Sequence, residues 1–243
     1  MMSEMQTISK TAAAAIFAVA LLCVSNSALA QDTSFGVRVS GTWSALPQPQ
    51  DPRGEPTLMS GTAFNGYGYA AGVWSGTTVA SVDAGQIRID ASALYGYQQV
   101  SGFEARGNAR REAVIKARVI RIPVLAVYES GLNGATARIG AGVEPLIGLW
   151  SGAEVTVQNS DEAPEPLFTT PVAHLGLTAL FGLDIEVSDS LGVPLELRLT
   201  YDPMVGNTTV DRFQDFQSSS NPGDYEAAFR WQMLLSTGVS FDI

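Results

Sequence analysis

The 243-residue chain carries 24 acidic and 14 basic residues, a formal charge of −10, with one histidine and one cysteine. This balance excludes a nucleic-acid partner and a general attraction to anionic membrane surfaces. The single cysteine excludes a disulfide framework or a thiolate metal site.

Lys10 precedes the run "TAAAAIFAVALLCVSNSALA", which has the length of a signal-peptide apolar core and holds the only cysteine, Cys23. Ala28-Leu29-Ala30 is the small-x-small pattern of a cleavage site. The expectation is a signal peptide over 1–30, cut between Ala30 and Gln31, and one exported domain over 31–243. Nothing later approaches the ~20 continuous apolar residues of a spanning helix. Mean hydropathy is nevertheless slightly positive, as apolar residues spread through alternation would make it.

Period-2 alternation runs through eight segments. "FGVRVSGTW" places Phe35, Val37, Val39 and Trp43 on one face. "GYGYAAGVW" groups Tyr67, Tyr69, Ala71 and Val73. "QIRIDASALYGY" sets Ile87, Ile89, Tyr95 and Tyr97 against Arg88, Asp90 and Ser92. "VIKARVIRIPVLAVYE" groups Ile120, Ile122, Val124, Ala126 and Tyr128 against Arg121, with Pro123 signalling an edge or bulge. "ATARIGAGVEPLIGLW" sets Ile139, Val143 and Leu149 against Arg138 and Glu144. "PVAHLGLTALFGLDIEV" sets Leu175, Leu177, Phe181 and Val187 against His174, Asp184 and Glu186. "VPLELRLTY" sets Leu195, Leu199 and Tyr201 against Glu196 and Arg198. "FRWQMLLSTGVSFDI" closes the chain with Phe229, Trp231, Met233 and Phe241 opposite Arg230 and Asp242.

The connections alternate as well. "ESGLNG" and "SDSLG" are short, the link "SGTTVASVDA" is somewhat longer, and Asn133-Gly134 is a strong hairpin signal. Polar connections at roughly 45–65, 98–113, 150–170 and 202–226 are longer. This asymmetry predicts an all-β, eight-stranded, antiparallel up-and-down transmembrane barrel, with short periplasmic turns and long extracellular loops.

The polar face carries Arg38, Arg88, Arg121, Arg138, Arg198 and Arg230, balanced by Asp90, Glu144, Asp184, Glu186, Glu196 and Asp242. It holds no lysine. Arginine's planar fork suits enclosed pairing with carboxylates, so these residues are expected to fill the lumen as a charge network. In a membrane barrel the apolar face then meets lipid. Trp43, Tyr95, Tyr97, Tyr128, Tyr201, Phe229, Trp231 and Phe241 are the candidate lipid-interface aromatics; ordinary core aromatics are the alternative.

Several segments resemble a known family. "RIDASALYGYQ", "RVIRIPVLAVY", "RIGAGVEPLIGL", "LGLTALFGLDIEV" and "LELRLTYDPMVGNTT" are similar to strands of the eight-stranded outer-membrane β-barrel domain family, in particular its PorT-like group. The resemblance implies an outer-membrane barrel, for some members one associated with secretion. The terminal Phe241-Asp242-Ile243 departs from the usual final aromatic.

No phosphate loop, zinc spacing or cofactor box occurs, so no cofactor, metal or enzymatic activity is expected. His174 reads as a hydrogen-bonded lumen residue rather than a catalytic base. Asp161, Glu162, Glu165, Asp211, Asp215 and Asp224 lack the spacing of a calcium loop. Asn207-Thr208-Thr209 is a sequon without meaning in a bacterial envelope. Arg106, Arg110 and Arg111 read as a solvated loop cluster, with contact to lipid phosphates as the alternative.

The expected role is a small outer-membrane barrel with a filled lumen, structural or surface-interacting. Its expected partners are outer-membrane lipid and lipopolysaccharide, the barrel-assembly machinery during biogenesis, and a protein met through the extracellular loops. The alternatives are a narrow solute pore, a secretion-associated barrel, a lipid-modifying enzyme and a soluble periplasmic calycin.

Overall fold

The computed structural model describes residues 32–45, 65–106, 109–158, 165–167, 169–170, 173–203, 205, 225–226 and 229–243. Within them, side chains at 102–106, 109–113, 153, 155–158, 165–167, 169–170 and 225–226 are not described. The signal segment with its Ala30–Gln31 junction, most of the loop carboxylates and the 207–209 sequon fall outside the described residues. So do the side chains of Glu165, Arg106, Arg110 and Arg111.

The strands in chain order are β1 (Thr33–Ala45), β2 (Asn65–Val82), β3 (Gly85–Arg106), β4 (Ala109–Arg121), β5 (Val124–Leu132) and β6 (Ala135–Gln158). Then come β7 (Glu165–Leu167), β8 (Thr169–Thr170), β9 (Ala173–Ser188), β10 (Leu191–Tyr201), β11 (Tyr225–Glu226) and β12 (Trp231–Asp242). Antiparallel pairing runs β1–β2–β3, then β4 above and β5 below in one wall position, then β6–β9–β10–β12, and β12 returns to β1. The wall is therefore a closed eight-stranded up-and-down barrel without a free edge. β7 pairs onto β6, and β8 with β11 forms a small parallel sheet apart from the wall.

The Ile122–Pro123 break between β4 and β5 shows how a proline fits into a closed wall. Proline has no N–H to give a ladder. Here the Pro123 carbonyl accepts from Ser92 N at 3.0 Å, and Ile122 N donates to the Pro145 carbonyl at 2.9 Å. The ladder is held on both sides of the break.

Register fixes the tilt. From Trp231, pairing through Ala45 and Asn65 reaches β3 at Ser101; pairing through Tyr201, Leu177, Val143 and Val124 reaches it at Ala91. The two arrivals differ by ten residues, the stagger of the barrel, which for eight strands gives a tilt of about 40°. At that tilt the ten residues from Trp231 to Phe241 span about 25 Å along the axis.

Two-residue turns at 83–84, 133–134 and 189–190 define the lower end, where the first and last strands also meet. Gly134 has φ 77°, the left-handed geometry that a tight hairpin needs and glycine supplies without strain.

Three expectations about connections are corrected. β6 runs on to Gln158, inside the connection expected over 150–170. β2 runs on to Val82, so the first lower turn is only two residues. Residues 98–113, expected as a long loop, instead extend β3 and β4 into a hairpin paired as far as Arg106 with Ala109. Burial still alternates over 98–101 and 114–117, but the polarity of the two faces changes: Val100 and Ile115 are buried inside while Gln99 is exposed, so the apolar-outward signal fades while the ladder continues.

Small residues on the inner face make room for the large ones. Gly76 faces inward beside Arg88 and Asp90, and a methyl group there would run into both side chains. Gly76→Ala is expected to destabilise the barrel by about 1–3 kcal/mol through overpacking. A lowered temperature for the shift from folded to unfolded gel mobility checks this.

Candidate functional site

Radial polarity is inverted relative to a water-soluble barrel. Outward side chains are apolar and open: Val37 is 53% exposed, Val39 55%, Leu177 52% and Leu235 66%. Their inward neighbours are charged and sealed, with Arg38, Asp90, Glu144, Glu196 and Arg198 each 1% exposed and Arg121 at 0%.

Two ionic clusters fill the interior. The lower one gathers Arg38, Arg88, Arg138 and Arg198 around Asp90, Glu129 and Glu196. Glu196 is its hub. It accepts from Arg38 Nη2 at 2.8 Å, from Arg198 Nη2 at 2.9 Å and from Arg138 Nη1. Arg138 spreads its fork over three carboxylates, donating also to Asp90 and, from Nε at 2.9 Å, to Glu129. Trp74 closes the cluster from β2, with the Arg38 guanidinium 4.1 Å from its ring centre, a cation–π contact in a desolvated setting.

The upper cluster is smaller. Arg121 donates to Glu144 at 2.5 Å and to Gln232 at 2.5 Å. Thr178 and Thr200 each donate to the second Glu144 oxygen at 2.8 Å, and Gln98 donates to Gln232 at 2.6 Å. Buried carboxylates keep their charge when guanidinium and hydroxyl donors satisfy their lone pairs, and this site supplies both. Leu94 pairs with Arg121 across the ladder, and Leu180 and Leu234 flank Arg198. These three leucines and Val127 are almost fully buried.

Four sequence-selected charges lie apart from these clusters. Asp184 is half-buried and accepts from Ser240, while Glu186 is exposed at the lower rim. Asp242 is also exposed, accepting from Ser34 at 2.5 Å, and Ser34 in turn accepts from Arg88. Together with Asp32, Gln86, Arg88 and Glu129 the lower three line a vestibule of about 510 Å³ open at that end. Among the described residues Arg230 joins no carboxylate: its Nε and Nη2 donate to the Val205 carbonyl at 3.0 and 2.7 Å. Strand pairing ends at Trp231, so the in-out parity that selected Arg230 does not extend to it.

Phe229 is corrected for the same reason. It is 2% exposed, buried at the upper end with Val205 at 1%, rather than facing outward. Its carbonyl accepts from the inward Gln232 at 3.4 Å. The remaining candidate interface aromatics sit on the outer wall in two bands. Phe35 stacks on Phe241 with centroids 5.5 Å apart at the lower end. Tyr128 lies there too, its hydroxyl donating to the Ala84 carbonyl. Each step around the wall climbs about one and a quarter residues, so Trp43, Tyr67, Tyr69, Tyr97 and Tyr201 lie near the height of Trp231. Tyr201 packs on Trp231 with centroids 4.6 Å apart, and Tyr95 lies one pleat below Tyr97.

Glu129 and Trp74 are central to the lower cluster without having been singled out in the sequence. Parity alone would have found both, since each neighbours an outward residue, Tyr128 and Val73. His174 lies at the upper end with Nδ1 3.2 Å from Asp202 Oδ2, the latter 1% exposed. Among the described residues, no serine, threonine or cysteine hydrogen-bonds to His174.

No family model matches the chain, and no curated protein matches it. Among solved structures it is similar to Neisserial surface protein A, at 13% identity and TM-score 0.40, over 86% of this chain and 96% of that one. It is also similar to Ail, the attachment invasion locus protein of Yersinia pestis, at 8% identity and TM-score 0.35, over 87% and 99%. OprG from Pseudomonas aeruginosa gives 11% identity and TM-score 0.37, over 88% and 96%. It is the strand pairing, closed on itself, that defines the barrel here.

Proposed function

We propose that this chain is an integral outer-membrane protein whose sealed barrel serves a structural role or presents its upper loops to a partner. One observation carries the reading: a continuous exposed apolar belt surrounds an interior of paired arginines and carboxylates. Water would reward the reverse arrangement, which a soluble calycin needs, whereas hydrocarbon rewards this one. The two aromatic bands stand about one hydrocarbon thickness apart and fit the two membrane interfaces.

The packed lumen argues against a pore. Ionic clusters and leucines occupy the inner face over most of its height, and Phe229 and Val205 are buried at the top. Reconstituted in planar bilayers, the protein is expected to give no stable open-channel current; steady unitary conductance would overturn the sealed-lumen part of the reading. Recovery in the membrane fraction with heat-shifted gel mobility tests the membrane part, and release by osmotic shock would refute it.

The reading gives His174 no catalytic role, since it lies on the inner side away from any lipid surface. Export through the 1–30 leader and assembly by the barrel-insertion machinery belong to the same proposal. The PorT-like similarity of the quoted strands would make co-purification with secretion components a refinement of it.

A further inference from the structure

The outer wall breaks its own apolar rule in one place. Among the described residues of the wall above the lower rim, three charged side chains point outward: Lys116 and Arg118 on β4, and Glu154 on β6. They are neighbours. Arg118 lies near the height of the Trp231 aromatic band and Lys116 one pleat above it, so both stand where an outer-leaflet headgroup would lie. Their side of the barrel is also the most aromatic. Gln99 pairs with Lys116 and Tyr97 with Arg118 across the β3–β4 ladder.

Beside them a groove of about 460 Å³ is lined by Tyr67, Tyr69, Tyr97, Gln99 and Ser101. Tyr69 and Tyr97 pack at 5.7 Å between centroids, and the Tyr97 hydroxyl donates to Gln99 at 3.1 Å. On the far side the Arg118 guanidinium lies over Trp150 at 5.4 Å from the ring centre. Lys116 reaches Glu154 at 3.7 Å, but that carboxylate is 58% exposed and the pair is screened by water. Among the described residues Arg118 has no carboxylate within salt-bridge distance.

A cation on a lipid-facing wall is costly unless its head meets an anion at the interface. Here two such cations stand between an aromatic platform and an indole, directly above the apolar belt. Resting on the membrane reading above, we propose that Lys116 and Arg118, with the Tyr67–Tyr69–Tyr97 groove, form a binding site for a phosphorylated glycolipid of the outer leaflet. The cations hold a headgroup phosphate, the tyrosine faces and Gln99 receive the sugar, and the acyl chains continue down the belt below. The −10 charge of the chain gives no general attraction to anions, so the preference is local to this patch.

The test offers the folded, detergent-purified barrel a bisphosphorylated lipid A, the same lipid stripped of phosphate, and inorganic phosphate, with retention read by native mass spectrometry. The phosphorylated lipid is expected to be retained on the order of tenfold more than the dephosphorylated one. Lys116→Gln with Arg118→Gln is expected to abolish that preference while leaving the heat-shifted mobility intact, since both side chains lie on the wall's outer surface. Glu154→Gln is expected to keep or raise it. Equal retention of the two lipids, an unchanged preference in the double variant, or equal capture of inorganic phosphate would overturn the site. A barrel extracted from the membrane fraction that lacks the preference refutes this inference alone. A protein never found in that fraction refutes the membrane reading and the site with it.

Discussion

Replacing Glu196 by glutamine is expected to cost the folded barrel about 3–5 kcal/mol, the scale set by stripping one partner from a buried ionic network. Glu196 accepts from three guanidiniums at once, and none of Arg38, Arg138 or Arg198 can turn to water, being 1–3% exposed. With its charge gone, four arginines face two carboxylates, Asp90 and Glu129. Asp90 lies 3.8 Å from Arg38 and 3.9 Å from Arg88, while its close partner is Arg138 alone, so it cannot absorb the surplus. The glutamine keeps the shape and loses the attraction, which isolates charge from packing.

Adding Arg198→Gln restores the original excess of one cation in the cluster, so the double variant is expected to recover part of the loss rather than sum two penalties. Urea titration in lipid vesicles, followed by the shift in gel mobility, reads both. A Glu196→Gln barrel as stable as the parent would mean that the interior ions are hydrated and the lumen is open, against the sealed interior argued above.

How much of this was written in the sequence differs by level. The eight wall positions and most of the interior charges were legible because a pleated strand with apolar side chains outside and ions inside obeys strict parity, and "LELRLTY" states it without ambiguity. Parity fails where the ladder stops. Phe229 and Arg230 precede the first pair of β12, and their side chains follow the chain's turn across the upper end instead of the pleat. It also fails where the polarity of the two faces changes, with Val100 and Ile115 buried inside and Gln99 exposed, which hid the extension of β3 and β4 beyond residue 98.

The cluster's membership was less legible than its existence. Six cations and six anions can be counted from the strands, yet which of them meet depends on the ten-residue stagger, a property of the closed ring and not of any single strand. That stagger brings Arg138 of β6 against Asp90 of β3 and Glu196 of β10, while leaving Glu186 at the rim. Arg118 shows the complementary blindness. In "VIKARVIRIP" it reads as one charge among several, and only its height relative to Trp231 gives it a neighbourhood.

The outer face provides the second large effect. Leu235 is 66% exposed, and it lies four residues from Trp231 and six from Phe241 on the same strand, near the middle of the belt. For a protein in water, an exposed leucine changed to arginine away from any special contact shifts stability by about 0.5 kcal/mol or less. At the centre of a bilayer the same change costs about 2–4 kcal/mol, because the guanidinium must be dragged toward an interface or the lipid must deform around it. Leu235→Arg is therefore expected to lower the urea midpoint in vesicles strongly. Ile243→Arg, at an 82% exposed position beyond the lower aromatic band, is expected to change it little. The contrast between the two sites is what distinguishes a bilayer from water as the medium around the wall. Equal and small effects at both positions would show that the belt does not face hydrocarbon. A graded series from Phe241 through Val239 and Leu235 to Trp231, peaking at its centre, would map the membrane onto the strand residue by residue.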